Sequence, residues 1–246
     1  MDGITGAFGW LTDPAHWQGP NGIPTRFVEH VELSVLAIVV ALAIALPIGL
    51  YTGHTGRGGG FTLNVAGLGR AIPSYALLLV FFPILGFGLL TPLVALVLLS
   101  IPPILANTHV GLRGVDQETV DAARGMGMRE SQVLTQVELP AALPLMIAGV
   151  RTAAVAAVAT ATLAALIAGG GFGRYIVDGF ALQDQAMLVA GAILVALLAV
   201  LTERSLTLAE RRMVSPGIRL TQGADQADLI DGAPVAESGP PPVAVA

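Results

Sequence analysis

The chain has 246 residues, 54% of them hydrophobic and 12% charged, with a net charge of −5. Soluble domains carry roughly 25% charged residues, so this composition points to lipid as the solvent. The absence of cysteine excludes disulfides, thiolate metal sites and cysteine nucleophiles; all basic residues are arginine, and no basic patch suits nucleic acid.

Residues 1–28 mix Asp2, Asp13, glycines and prolines. They lack the basic start and apolar core of a cleaved secretory signal and are read as an extracytoplasmic segment. A hydrocarbon core about 30 Å thick needs about 20 apolar helical residues. The charge-free run 33–53 supplies a first span, with Glu29, His30 and Glu32 expected as interfacial anchors before it. His54 follows in a glycine-rich turn with Arg57.

Arg70 and Arg113 bracket a long uncharged region. As one helix it would be about 63 Å long, roughly twice the bilayer core, so it must fold back. Gly86, Gly88 and Pro92 mark the break. Spans are therefore predicted near 71–87 and 91–110, with Asn107, Thr108 and His109 at the inner boundary. A fourth span is expected at 143–168 and a fifth at 186–202, which makes an all-α polytopic membrane protein of about five transmembrane helices. Placing 113–140 in the cytoplasm puts most arginines inside, the N-terminus outside and the C-terminus inside. Arg26 and Arg174 fall outside, and Arg151 is ambiguous. The expected division is a segment 1–28, a transmembrane domain 29–208 and a cytoplasmic tail 209–246. The tail is polar, acidic and proline-rich from Ser215 onward and is expected to be disordered.

The polar insert between the third and fourth spans carries most of the information. Asp116 is placed to cap a short helix, with Glu118 and Asp121 in its first turns. Ala122 and Ala123 favour helix, and Gly125 and Gly127 allow a turn. A second short helix is expected near 129–137, ended by Pro140. Two short helices around a glycine turn can lie on a membrane and offer a knob to a partner's groove. On spacing alone, an ordinary amphipathic interfacial loop fits equally well.

The stretch DAARGMGMRESQVLTQVELP, 121–140, resembles the EAA cytoplasmic loop of bacterial ABC importer permeases. The similarity extends over about 31–208 and is greatest to the glycine betaine/carnitine/choline, or osmoprotectant, branch. It is carried by RAIPSYALLLVFFPILGFG at 70–88, IPPILANTHVGLRGVD at 101–116, DAARGMGM at 121–128, VELPAALPLMIAGVRTA at 137–153 and TATLAALIAGGGFGRYI at 160–176. Asp121 stands where the family usually has Glu, one methylene longer.

The resemblance implies a type I (MetI-like) permease fold, and an ATPase-coupling role for Asp121, Ala122, Ala123, Gly127, Val137, Leu139 and Pro140. It also implies partners: a cytoplasmic ABC ATPase dimer, a second permease subunit (a heterodimer favoured, a homodimer also known in the branch) and an extracytoplasmic solute-binding protein. No phosphate loop of the G-x-x-x-x-G-K-[ST] type occurs in the sequence, and GGGFG at 169–173 reads as a helix end and turn. ATP and Mg are thus expected on the partner ATPase and no cofactor on this chain, which reads as a non-catalytic subunit of the plasma membrane. The implied solutes are glycine betaine, carnitine, choline and proline; methionine, phosphonate or sulfonate importers are the nearest alternative, and a secondary transporter a more distant one.

Residues 151–171 are rich in Ala, Thr and Gly, which suits close helix packing. A sharper reading has Thr152, Thr160 and Thr162 lining a solute path, with Tyr75 as an aromatic candidate. The four histidines are scattered without carboxylate companions in sequence, so no metal site is expected.

Overall fold

The computed structural model describes residues 2–167 and 169–213, and no strand occurs among them. Helix α1 spans Asp2–Thr12 and is followed by a 3-10 turn, Pro14–Trp17. Then come α2 (Ile23–Thr55), α3 (Gly59–Ala71), α4 (Ser74–Leu85) and α5 (Leu90–Arg113). The insert forms α6 (Gln117–Gly125), α7 (Glu130–Val133) and a π turn, Leu134–Glu138. Helix α8 (Leu139–Ala161) runs into a 3-10 segment, Thr162–Ile167, and α9 (Gly173–Leu182) and α10 (Gln185–Met213) complete the described residues.

Among the described residues, four helical stretches are long and apolar enough to cross a membrane: Ile23–Thr55, Leu90–Arg113, Glu130–Ile167 and Gln185–Met213. The first has 33 residues, about 50 Å, and so extends well beyond a hydrocarbon core. The span predicted at 71–87 is realised differently. Helix α4 has 12 residues, about 18 Å, and is separated from α3 at Ile72–Pro73, where Pro73 favours extended backbone before it. The fold-back is where glycine and proline placed it: α4 ends at Leu85, Gly86 and Gly88 have φ of 73° and 124°, and α5 begins at Leu90.

The centre of the bundle is a sandwich of α2, α5 and α8. Along α2, Ala37, Ala41 and Ala45 are fully buried, and Gly49 and Gly53 extend the same four-residue row. A Cβ on Gly49 would lie 2.7 Å from Thr108 Cβ, and one on Gly53 would lie 2.8 Å from Leu112 Cβ. On the other side of α5, a Cβ on Gly149 would lie 2.6 Å from Asn107 Cβ and 2.8 Å from the Pro103 carbonyl oxygen. The row of small residues lets backbones approach where lipid offers no hydrophobic drive to associate. Several large residues of α2 face outward: Val35, Val39, Ile44, Ile48 and Tyr51 are exposed.

Two sequence expectations are corrected. Pro140 does not end a helix, because helical structure is continuous from Glu130 to Ile167. The Leu139 N–H bonds the Leu134 carbonyl in π register, and the jump back to α register falls where Pro140 lacks a donor. The last helix continues past 208 to Met213, held to α8 by Arg151, which pairs with Glu210 at 2.8 Å and Glu203 at 3.5 Å. Residues 2–28 are largely helical, and α1 packs on α10, with a Cβ on Gly6 3.2 Å from Ala186 Cβ. The disorder expected of 215–246 lies outside the described residues.

Gly149→Val should wedge α5 from α8. Overpacking of this kind costs about 1–3 kcal/mol or more, and Gly60→Ala, with nothing within 4 Å of an added Cβ, should be close to neutral. Thermal denaturation of both variants in detergent checks this; equal midpoints would refute the packing argument.

Candidate functional site

Two polar clusters sit at opposite ends of the α2–α5–α8 sandwich. The loop end is built on α6. Asp116 caps it, accepting from the Glu118 N–H at 3.2 Å, the Thr119 N–H at 3.1 Å and the Thr119 hydroxyl at 2.8 Å. The Thr119 hydroxyl, then these two N–H groups, hold the Asp116 carboxyl below its ordinary range. Val120 and Ala123 are buried against Leu112, Val115 and Val133, which fastens one face of α6 to α5 and α7. Asp121 and Ala122 lie on its exposed face.

Gly127 closes the helix in a Schellman motif. Its φ is 82°, its N–H bonds the Arg124 carbonyl at 2.9 Å, and the Met128 N–H bonds the Ala123 carbonyl at 3.2 Å. Gly125, by contrast, is the last residue of α6. The turn lifts Met126 into solvent at 77% exposure, an apolar tip that sequence reading did not single out. Val137 and Leu139 are half-buried in the cluster beneath α6, and Pro140 is exposed beside them.

Arg124 grips Glu130 with two bonds, Nε to Oε1 at 3.0 Å and Nη2 to Oε2 at 3.1 Å, and reaches Asp121 at 3.4 Å. His54, expected without carboxylate companions, has two: its Nδ1 lies 2.5 Å from Glu138 Oε2, and its Nε2 lies 3.4 Å from Glu130 Oε2. These partners are far away in the chain, so local spacing could not reveal them. Among the described residues no group of His, Asp and Glu is arranged to hold a metal ion. His109, placed at a boundary by sequence, is buried and bonds the Thr52 hydroxyl at 3.1 Å, while Thr62 donates to Thr52 at 3.2 Å. These bonds tie α2, α3 and α5 together just above the loop.

The opposite end is a clasp around the glycine loop 169–171. Glu29 accepts from Arg26 at 2.8 Å and from the Gly171 N–H at 2.8 Å. His30 is 1% exposed, a core group and not the interfacial anchor expected. Its Nε2–H donates to the Val158 carbonyl at 2.8 Å, and its Nδ1 accepts the Phe172 N–H at 3.3 Å. Those two bonds define a neutral ring with the proton on Nε2. A Cβ on Gly170 would collide with the Glu29 carboxylate, and Gly171 has a φ of 83°. The glycines are therefore required by close approach to α2. Tyr175 closes the cluster by donating to the Asn21 carbonyl at 2.7 Å, and burial pushes its hydroxyl up to about 12. Beside the clasp lies a cavity of about 240 Å³ lined by Glu29, Glu32, Gly88, Pro92, Gly169 and Gly170.

The candidate path residues are not gathered in one place. Thr152 is exposed on α8, in a stripe with Ala156 and Ala159, and its hydroxyl bonds the Ala148 carbonyl at 2.9 Å. Thr160 and Thr162 are half-buried, Thr162 donating to Ala159 at 2.7 Å. Tyr75 is 49% exposed on α4. None of the four lines the cavity beside the clasp.

Comparison with known proteins agrees with this architecture. The family described as "binding-protein-dependent transport system inner membrane component" matches residues 45–215. A choline transport system permease protein of Bacillus subtilis (strain 168) is 35% identical over 78% of this chain and 88% of its own length. A glycine betaine/carnitine/choline transport system permease protein of the same organism is 34% identical over the same shares. Among solved structures, an inward-facing conformation of the MetNI methionine ABC transporter aligns with a TM-score of 0.70 and 20% identity, over 83% of this chain and 100% of that one.

His30→Leu should leave the Phe172 N–H unpaired in the interior and remove the side-chain donor from the Val158 carbonyl. An orphaned group costs about 1–3 kcal/mol, so the variant should denature at a clearly lower temperature in detergent. An unchanged midpoint would show that the clasp contributes nothing to stability.

Proposed function

Since this chain belongs to the family of inner membrane components of binding-protein-dependent transport systems, we propose that it is the permease subunit of an ATP-driven osmoprotectant importer. The solutes in this reading are the quaternary ammonium compounds glycine betaine, carnitine and choline, with proline as a further candidate. The names of the relatives support the solute class.

The observation that carries the mechanism is the two-sidedness of α6. One face is buried against α5 and α7, and the other presents Asp121, Ala122 and the Met126 tip. A partner that seizes the exposed face must move the spans with it. In this reading the partner is a dimer of cytoplasmic ATPases that bind ATP and Mg, and this chain performs no chemistry of its own. Asp121, Ala122 and Gly127 serve the contact, while Ala123, Val137, Leu139 and Pro140 join it to the bundle.

A second permease subunit, in our reading a different polypeptide, completes the path against the exposed stripe of Thr152, Ala156 and Ala159. Small residues there allow close approach. Thr160, Thr162 and Tyr75 remain assigned to the path. A solute-binding protein delivers cargo at the glycine-loop end, which is taken as outside. Arg57, Arg113, Arg124 and Arg129 at the loop end support that orientation, since basic residues gather on the cytoplasmic side.

Reconstitution with the ATPase, second permease and binding protein tests the function. Glycine betaine, carnitine or choline should stimulate ATP hydrolysis and be imported. Gly127→Val should abolish both with the bundle intact, because a β-branched residue is strained at a φ of 82°. An assembled complex that ignores these solutes would refute the solute class.

Orientation is tested separately with Ser131→Cys and Phe180→Cys, both exposed positions. An impermeant thiol reagent added to intact cells should label only the second. Labelling at 131 before lysis would reverse the topology.

A further inference from the structure

The π turn Leu134–Glu138 lies between the loop and the long helix that the loop must move. A π turn is a soft point in a helix: a push can be absorbed by a change of register, without reaching the far side. Two carboxylates bracket this one. Glu130 begins α7 on its loop side, and Glu138 ends the turn on the membrane side. One side chain from another helix touches both.

That side chain is His54, in the last turn of α2. Its Nδ1 is 2.5 Å from Glu138 and its Nε2 is 3.4 Å from Glu130. The Glu138 side chain is 5% exposed, and a carboxylate buried there is costly to leave without a donor, which His54 supplies. Glu130 is in turn held by the two-pronged grip of Arg124 on α6. Polar contacts thus run from α6 through Glu130 and His54 to Glu138. They cross 84 residues of sequence between His54 and Glu138.

We propose that His54 is a positioning residue that splints the π turn, so that displacement of α6 is delivered to α2 and α8 together. The role rests on the reading of α6 as the helix moved by the ATPase. The apolar cluster around α6 gathers residues of α5, α7 and the start of α8, with Leu46 and Leu50 of α2 packed at its edge. The imidazole adds a polar link from the last turn of α2 and lies between Glu130 and Glu138. Without it, part of the stroke is spent in the turn, and ATP is hydrolysed without a matching movement of solute.

The test is the number of ATP molecules hydrolysed per solute imported, measured on the full complex in proteoliposomes. His54→Ala should raise this ratio by about twofold to thirtyfold, the range of changes seen along a coupling route. His54→Arg, which presents N–H donors to the same two carboxylates, should restore it. Glu130→Ala provides a second arm, because Glu130 is 60% exposed and its loss leaves no buried hole; it should also raise the ratio. Ratios unchanged in both His54→Ala and Glu130→Ala, with hydrolysis and import falling in proportion or not at all, would overturn the splint. Failure of His54→Arg to restore coupling would overturn it as well. A wild-type complex that assembles but shows no solute-stimulated hydrolysis would instead overturn the reading of α6 and the splint with it.

Discussion

Close approach of α2, α5 and α8 is the constraint on which the other features depend. It is set by the row Ala37, Ala41, Ala45, Gly49 and Gly53 on α2 and by Gly149 on α8. In lipid, association is driven by packing and hydrogen bonds, so a side chain as small as a methyl at Gly49, Gly53 or Gly149 would separate the helices. With the three helices in contact, Leu112 and Val115 at the end of α5 form the seat for Val120 and Ala123 of α6. The same contact brings the end of α2 beside the foot of α8, where His54 and Glu138 meet.

Polar side chains are concentrated at the two ends of this sandwich. At one end Glu29 and His30 bind backbone groups of the glycine loop and α8. At the other, Thr52, Thr62 and His109 bond one another, and His54 engages two carboxylates. Between them α2 is apolar from Val35 to Tyr51 and presents small residues inward and several large ones outward. A transmembrane helix can afford polar groups only where each has a partner, and the ends are where loops bring backbone donors and acceptors within reach. The middle is therefore held by shape, and the ends by directional bonds.

The two ends differ in kind. The glycine-loop clasp is made of close approach and neutral hydrogen bonds, with His30 locked as an uncharged ring. The loop end is ionic and partly exposed, built from Asp121, Arg124, Glu130, His54 and Glu138. Close packing and neutral hydrogen bonds thus hold one end, and polar side-chain contacts across a π turn hold the other.

Much of this was legible in local sequence. Apolar runs interrupted by glycine and proline located the fold-back between α4 and α5, because those residues change backbone geometry wherever they stand. Asp116 and Gly127 were readable as a cap and a turn for the same reason: each acts on its own few residues. The family could be recognised because its motifs lie in order along the chain. Contacts across the chain were not legible. His30 reads as a surface anchor until Val158 and Phe172, 128 and 142 residues away, are seen to enclose it. His54 reads as a turn residue until packing supplies Glu138. The continuation of α10 to Met213 likewise follows from neighbours, through the Arg151 pairs with Glu203 and Glu210. Periodicity and residue type determined where helices form and turn; the partners of the buried polar groups were decided only when three helices met closely enough to exclude solvent.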